Sequence, residues 1–191
     1  MTNRTTPRRR FLQSLSLGAA ALTVGGVPSA LARPRSARAR QLRDFASDFL
    51  PTWERSGTFT LAYAEAMPAD KYDFRPTPEV RTFAEQMLHI AGSNAFFGNL
   101  VSKLPRPEVD LKGATTKAEI MSAVGEVFGY CAECIRAMPT AEVEEPISLF
   151  DQSFTKDQVV LLMRDHVTHH RGQTVIYLRL NGIVPPQYVG F

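Results

Sequence analysis

The sequence predicts an all-α protein, a four-helix bundle preceded by an extra helical segment. Three observations predict it. Beyond the first residues of the chain and Pro51, the thirteen prolines fall in four groups, at 68–78, 105–107, 139–146 and 185–186, and stretches of helix length with little Gly or Pro lie between them. Three of those stretches open with a capping box, in which a Thr oxygen accepts a free amide of the first turn and a side chain three residues on returns the bond: Thr82 with Glu85, Thr116 with Glu119, and Thr155 with Gln158. The apolar positions that follow keep a 3-4 spacing, as a helix seam in a bundle requires. No run alternates with period two for long enough to predict a strand, and no internal repeat is visible.

The elements follow in chain order. Residues 1–32 read as a twin-arginine signal: Thr6-Pro7-Arg8-Arg9-Arg10-Phe11-Leu12-Gln13, a weakly apolar stretch rich in Gly and Ala, then Ala30-Leu31-Ala32 as a small-x-small cleavage site. The apolar stretch is broken by Ser14, Ser16, Gly18, Thr23, Gly25 and Gly26 and falls short of the ~20 apolar residues a membrane span needs. The mature chain is therefore expected to begin near Arg33, to lie in the periplasm or another extracytoplasmic space, and to contain no membrane span. Because the twin-arginine route exports proteins already folded, often with a cofactor in place, it suits a buried metal site.

Residues 33–43 form a basic tail or linker with five Arg, and residues 44–191 form the helical bundle domain. This partition decides how to read the pI near 9.0. Four Arg and no acid lie in residues 1–32, so 18 basic residues face 19 acidic ones in the mature chain; from Asp44 onward only 13 basic residues face those 19. The globular body is acidic. A nucleic-acid-binding surface needs clustered Lys and Arg on the folded body, and here the surplus sits in the signal and the tail, so no nucleic-acid partner is expected.

A leading helical segment is expected over 38–50, ending or kinking at Pro51, which lacks the N–H the helix ladder needs. The four main helices are expected over 52–67, 82–104, 116–138 and 155–181. On the third, residues 120, 124, 127, 131, 134 and 138 read Ile, Val, Val, Cys, Cys, Met; on the fourth, residues 159, 163, 166, 170, 173, 177 and 180 read Val, Met, His, His, Gln, Tyr, Leu. Short connections imply an up-down bundle or a variant with one longer crossover.

Only four histidines are present, and three lie in Asp165-His166-Val167-Thr168-His169-His170-Arg171-Gly172-Gln173. His166 and His170 are one helical turn apart and share a face, so both imidazoles can bind one ion. Two imidazoles turned inward among Val159, Met163 and Tyr177 are costly to desolvate without partners, and a metal ion satisfies both. His89 is the third candidate ligand, on a polar strip (Thr82, Gln86, His89, Ser93) beside the apolar strip of Phe83, Met87, Ile90 and Phe97, where a histidine is otherwise a satisfied core or surface residue. His169 lies about a hundred degrees around the helix from His170 and is expected on its surface or as a neighbour that supports a ligand without binding the ion. Glu85 either orients an imidazole or only closes its capping box; Gln173 bonds a ligand or a buried carbonyl; Gly172 is expected to let another helix approach closely. Cys131 and Cys134 form a C-x-x-C on the apolar stripe of the third helix and read as two small buried residues, and without a second such pair they cannot make a four-thiolate zinc site.

Ala64-Glu65-Ala66-Met67-Pro68, Phe83-Ala84-Glu85-Gln86-Met87-Leu88-His89, His166-x-x-x-His170-Arg171-Gly172-Gln173 and Tyr177-Leu178-Arg179-Leu180-Asn181-Gly182 together resemble the DinB/YfiT-like family of metal-binding four-helix bundles, from about Asp44 to the C-terminus. Carrying the family's metal triad over residue by residue gives His89, His166 and His170. The resemblance implies a divalent ion, zinc, nickel or iron, since imidazole suits all three. It also implies an enzyme of hydrolase or transferase type acting on a small molecule, several relatives being thiol-dependent transferases or isomerases, although export separates this chain from cytoplasmic thiols. The alternative is a non-catalytic protein in which the ion closes the bundle. Homodimer formation is left open.

Overall fold

In the computed structural model, residues 35–189 are described, with side chains from residue 45 onward. The expected twin-arginine signal and its cleavage site lie outside the described residues. Four helices form the bundle: α1 (Arg35–Ala66), α2 (Phe83–Ser102), α3 (Lys117–Ala137) and α4 (Lys156–Leu180). No helix among the described residues is long and apolar enough to cross a membrane.

The expected break at Pro51 does not occur, and the leading segment and the first main helix are one helix. Proline removes one N–H from the ladder, but packing spans the gap. Phe45 stacks on Phe49 and Phe49 on Trp53, with ring centroids 5.6 and 6.5 Å apart. Trp53 is fully buried, stacks on Phe128 of α3 and donates its Nε1–H to the Phe128 carbonyl at 3.0 Å. Burying aromatic rings on both sides of the proline outweighs one lost hydrogen bond.

Thr82 and Thr116 cap α2 and α3 with both halves of the expected box. At α4, Gln158 Oε1 accepts the Thr155 amide at 2.9 Å, while the Thr155 hydroxyl donates to the Asp157 carboxylate. α1 and α2 each pack against both α3 and α4, so α1 lies diagonally across from α2. The chain must therefore cross an end of the bundle between α1 and α2, and again between α3 and α4. The first crossing, residues 67–82, turns through a short 3-10 segment, Ala69–Lys71. The second contains a hairpin that the sequence pattern did not announce, β1 (Pro146–Leu149) paired antiparallel with β2 (Gln152–Thr155). Its tip, Phe150-Asp151, has φ of 52° and 58°, the paired left-handed residues of a two-residue hairpin turn without the Asn-Gly that usually marks one.

The seam expected on α3 is buried at every position, Cys131 and Cys134 included, and both are free thiols. On α4 the buried face is rotated from the expected seam. It contains Val160, Val167, Arg171, Thr174 and Leu178 beside Val159, Met163, His170 and Tyr177. Leu180 is 60% exposed, and His166 and Gln173 lie at the edge. The face is wide because α4 packs on both α1 and α2.

Gly172 is also corrected. It is exposed, and nothing lies within 4 Å of where its Cβ would stand, so no helix approaches it. Gly172→Ala is thus expected to raise stability by about 1 kcal/mol, the helix-propensity difference; chemical denaturation of the two proteins measures it. Close approach occurs instead at Gly98, where a Cβ would meet Tyr130, Cys134 and Cys131 at 3.0–3.3 Å.

Candidate metal centre

α2 and α4 bring three histidines together. His89 Nε2 lies 3.1 Å from His170 Nε2 and 3.2 Å from His166 Nε2, and the ligand atoms of all three lie within 4.8 Å of one another. His89 and His166 are half-buried and His170 is 9% exposed.

The protonation pattern follows from the neighbours. His170 Nδ1 faces two amide oxygens, Gln86 Oε1 and Gln173 Oε1, each at 3.2 Å. Gln86 Nε2 donates to the same Gln173 oxygen at 2.7 Å, and Gln173 Nε2 donates to His169 Nε2 at 2.8 Å. Facing two acceptors, Nδ1 must carry the proton, which leaves the Nε2 lone pair directed at the other two rings. His166 Nδ1 is buried with no hydrogen-bond partner among the described residues, and the Phe97 ring stands edge-on at 5.8 Å.

Burial, above all, holds the imidazoles neutral: it pushes His166 and His170 down to about 4 and lowers His89 as well, with the neighbouring rings and the Arg81 guanidinium adding to the effect. The triad is thus three neutral rings with Nε2 atoms turned together. At such distances the Nε2 atoms are held together either by a ring N–H of His89 or His166 shared between them or by a cation that all three lone pairs bind. Nitrogens bound tetrahedrally at the usual zinc distance stand about 3.3 Å apart, so the donor set and its spacing fit a divalent ion.

Two clefts flank the loop carrying Glu79, Val80 and Arg81. One, of about 810 Å³, reaches His170, Gln86 and Gln173; the other, of about 490 Å³, reaches His89. His169 is exposed and bonds only to Gln173, as its register predicted. Glu85 closes its capping box with Thr82 and pairs with Arg75 at 3.5 Å, so it orients no imidazole. Asp165 is exposed and pairs with Arg164. Gln86, placed by the sequence on the polar strip of His89 but given no role there, is the second support of His170. Its signal was present: it stands three residues before His89, as Gln173 stands three after His170.

No curated protein matches the chain. Among solved structures it is similar to a DinB-like protein from Bacillus cereus, at 16% identity and a TM-score of 0.66 over 74% of this chain and 95% of that one. It is also similar to a DinB-like protein from Bacillus subtilis, at 18% identity and a TM-score of 0.56 over 78% of this chain and 96% of that one. At such identities the likeness establishes the fold. The sequence model of the DinB superfamily matches residues 52–174, from the middle of α1 through His166 and His170 of α4, and the chain belongs to that superfamily.

Proposed function

We propose that this protein binds one divalent metal ion, zinc, nickel or iron, through the Nε2 atoms of His89, His166 and His170. On this reading it is a metal-dependent enzyme of hydrolase or transferase type acting on a small molecule. The observation that carries the reading is the meeting of three ring nitrogens, one with its lone pair directed inward by Gln86 and Gln173. A divalent ion at such a site supplies Lewis acidity and a nucleophile from water at neutral pH. The chain's own residues do the rest: the two glutamines hold His170 in one tautomer, and the clefts admit a small molecule to the ring edges. That access favours an enzyme over an ion that only ties helices together.

The test is elemental analysis of protein matured through its own export route, followed by a panel of hydrolase and transferase substrates with and without a chelator. Turnover abolished by the chelator and restored by the ion supports the enzyme. A full metal complement with no turnover across the panel would leave a non-catalytic metal protein.

Export by the twin-arginine route is part of the proposal and rests on Arg8, Arg9 and the Ala30-Leu31-Ala32 site. Replacing Arg8 and Arg9 with Lys is expected to leave unprocessed precursor in the cytoplasm, visible by fractionation; normal processing would remove the assignment.

Acid should release the ion late. A free imidazole gains its proton near 6.5, whereas His166 and His170 in the fold do so only at about 4. Protons compete with the ion for the same lone pairs, so retention is expected to hold from neutrality to about pH 5 and to fail below it. The metal-free fold behaves in parallel. The contribution of His166 and His170 to its stability is full above 6.5 and is lost as pH falls from 6.5 through about 4, because the unfolded chain takes up protons first. Dialysis at graded pH with metal analysis, and melting of the metal-free protein, measure the two; metal release centred near 6.5 would contradict the burial argument.

A further inference from the structure

Arg81 stands where both clefts meet. It is exposed and lines the larger and the smaller cleft alike. Its place is fixed by its backbone: the Tyr177 hydroxyl of α4 donates to the Arg81 carbonyl at 2.7 Å, and the next residue, Thr82, is the cap of α2. Among the described residues lining the larger cleft it is the one Arg or Lys. The nearby carboxylates are engaged elsewhere, Glu85 with Arg75 at 3.5 Å and Glu79 with the Thr77 side chain. Beside it the same cleft presents apolar surface to solvent, Val80 at 39% and Ile176 at 53% exposure, next to Tyr177. A guanidinium in no ion pair among the described residues, carried on an anchored backbone beside uncovered hydrocarbon and near enough to act on the imidazole cluster, suits an anion that carries an apolar body.

We propose that Arg81 anchors the anionic end of the ligand, and that the site takes small apolar-bodied molecules bearing one carboxylate or phosphate, the hydrocarbon lying on Val80, Ile176 and Tyr177. This deepens the function proposed above and rests on it only in treating the ligand as a substrate. Anion capture by Arg81 is measurable with no metal present.

The experiment is calorimetric titration of the mature protein, zinc-loaded and metal-free, with octanoate, octyl phosphate, octanol and octylamine. Both anions are expected to bind at least about tenfold more tightly than octanol, in metal-free protein as well, and the tighter of the two identifies the headgroup. Arg81→Gln is expected to remove that advantage while octanol binding and zinc content stay as they were; being exposed, the residue can be changed without disturbing the core. Unchanged octanoate affinity in Arg81→Gln overturns the proposal, as does octanoate binding that vanishes with zinc but ignores Arg81, or a preference for octylamine that depends on Glu79. Failure to take up zinc, nickel or iron while octanoate still binds through Arg81 would remove the metal reading and leave this one standing.

Discussion

Alanine at His89, His166 or His170 is expected to reduce bound divalent ion from one per chain to a small fraction, each change weakening binding by at least about 100-fold. His169→Ala is expected to retain nearly all of it. The basis is the arrangement of the nitrogens: three Nε2 atoms converge, while His169 is exposed, its ring edge-on to that of His170 at 4.9 Å and its Nε2 bonded to Gln173 rather than turned to the other three. Groups that merely orient a ligand typically contribute 10–100-fold, so loss of a ligand itself must exceed that. Gln86→Leu and Gln173→Leu fall in the lower range, because each removes one of the two oxygens that hold His170 Nδ1–H. Metal analysis after gel filtration, with competition by a chromophoric chelator, ranks all six proteins. Equal loss from the four histidine variants would mean that the cluster acts through folding, and full retention after changing His89 would take it out of the coordination sphere.

Arg171→Ala is expected to destabilise the fold by about 3 kcal/mol, lowering the melting temperature by about 10 °C for a domain of this size. Arg171 is 3% exposed and has no carboxylate partner among the described residues. Its guanidinium donates to the Ser56 carbonyl at 3.3 Å, Ser56 Oγ at 3.0 Å and Thr60 Oγ1 at 3.3 Å, and lies 4.7 Å over the Phe59 ring. Alanine leaves both a cavity and polar groups of α1 without their donor. Methionine restores the volume and removes a buried charge, so Arg171→Met is expected to cost less than half as much. Thermal melts of the metal-free proteins compare them. Equal costs for the two variants would place the stabilisation in the hydrogen bonds alone.

The helix starts and the shared face of His166 and His170 were legible in the sequence because both rest on local periodicity, whereas His89 joined them through the family resemblance. Capping boxes fix where helices start, and His166 and His170 share a face at any site on a helix. What could not be read depended on neighbours distant in sequence. The helix continues through Pro51 because Trp53 finds Phe128, 75 residues away. The buried face of α4 is broader than its apolar spacing because two helices cover it, which places Arg171 and Thr174 inside and Leu180 outside. The hairpin tip lacks turn-forming residues, and the spacing of Phe150 and Asp151 carries no sign of their positive φ.

The diagonal placement of α1 and α2 has a kinetic consequence. His89 meets His166 and His170 across 77 and 81 residues of chain, and no closer pair of segments supplies the ligands. Closing a contact of that span waits on chain entropy, whereas the helices themselves form locally and fast. During synthesis the ribosome must release nearly the whole chain before α4 can dock on α2. The cluster of nitrogens is therefore among the late contacts to form, and an ion bound there registers that α4 has docked on α2.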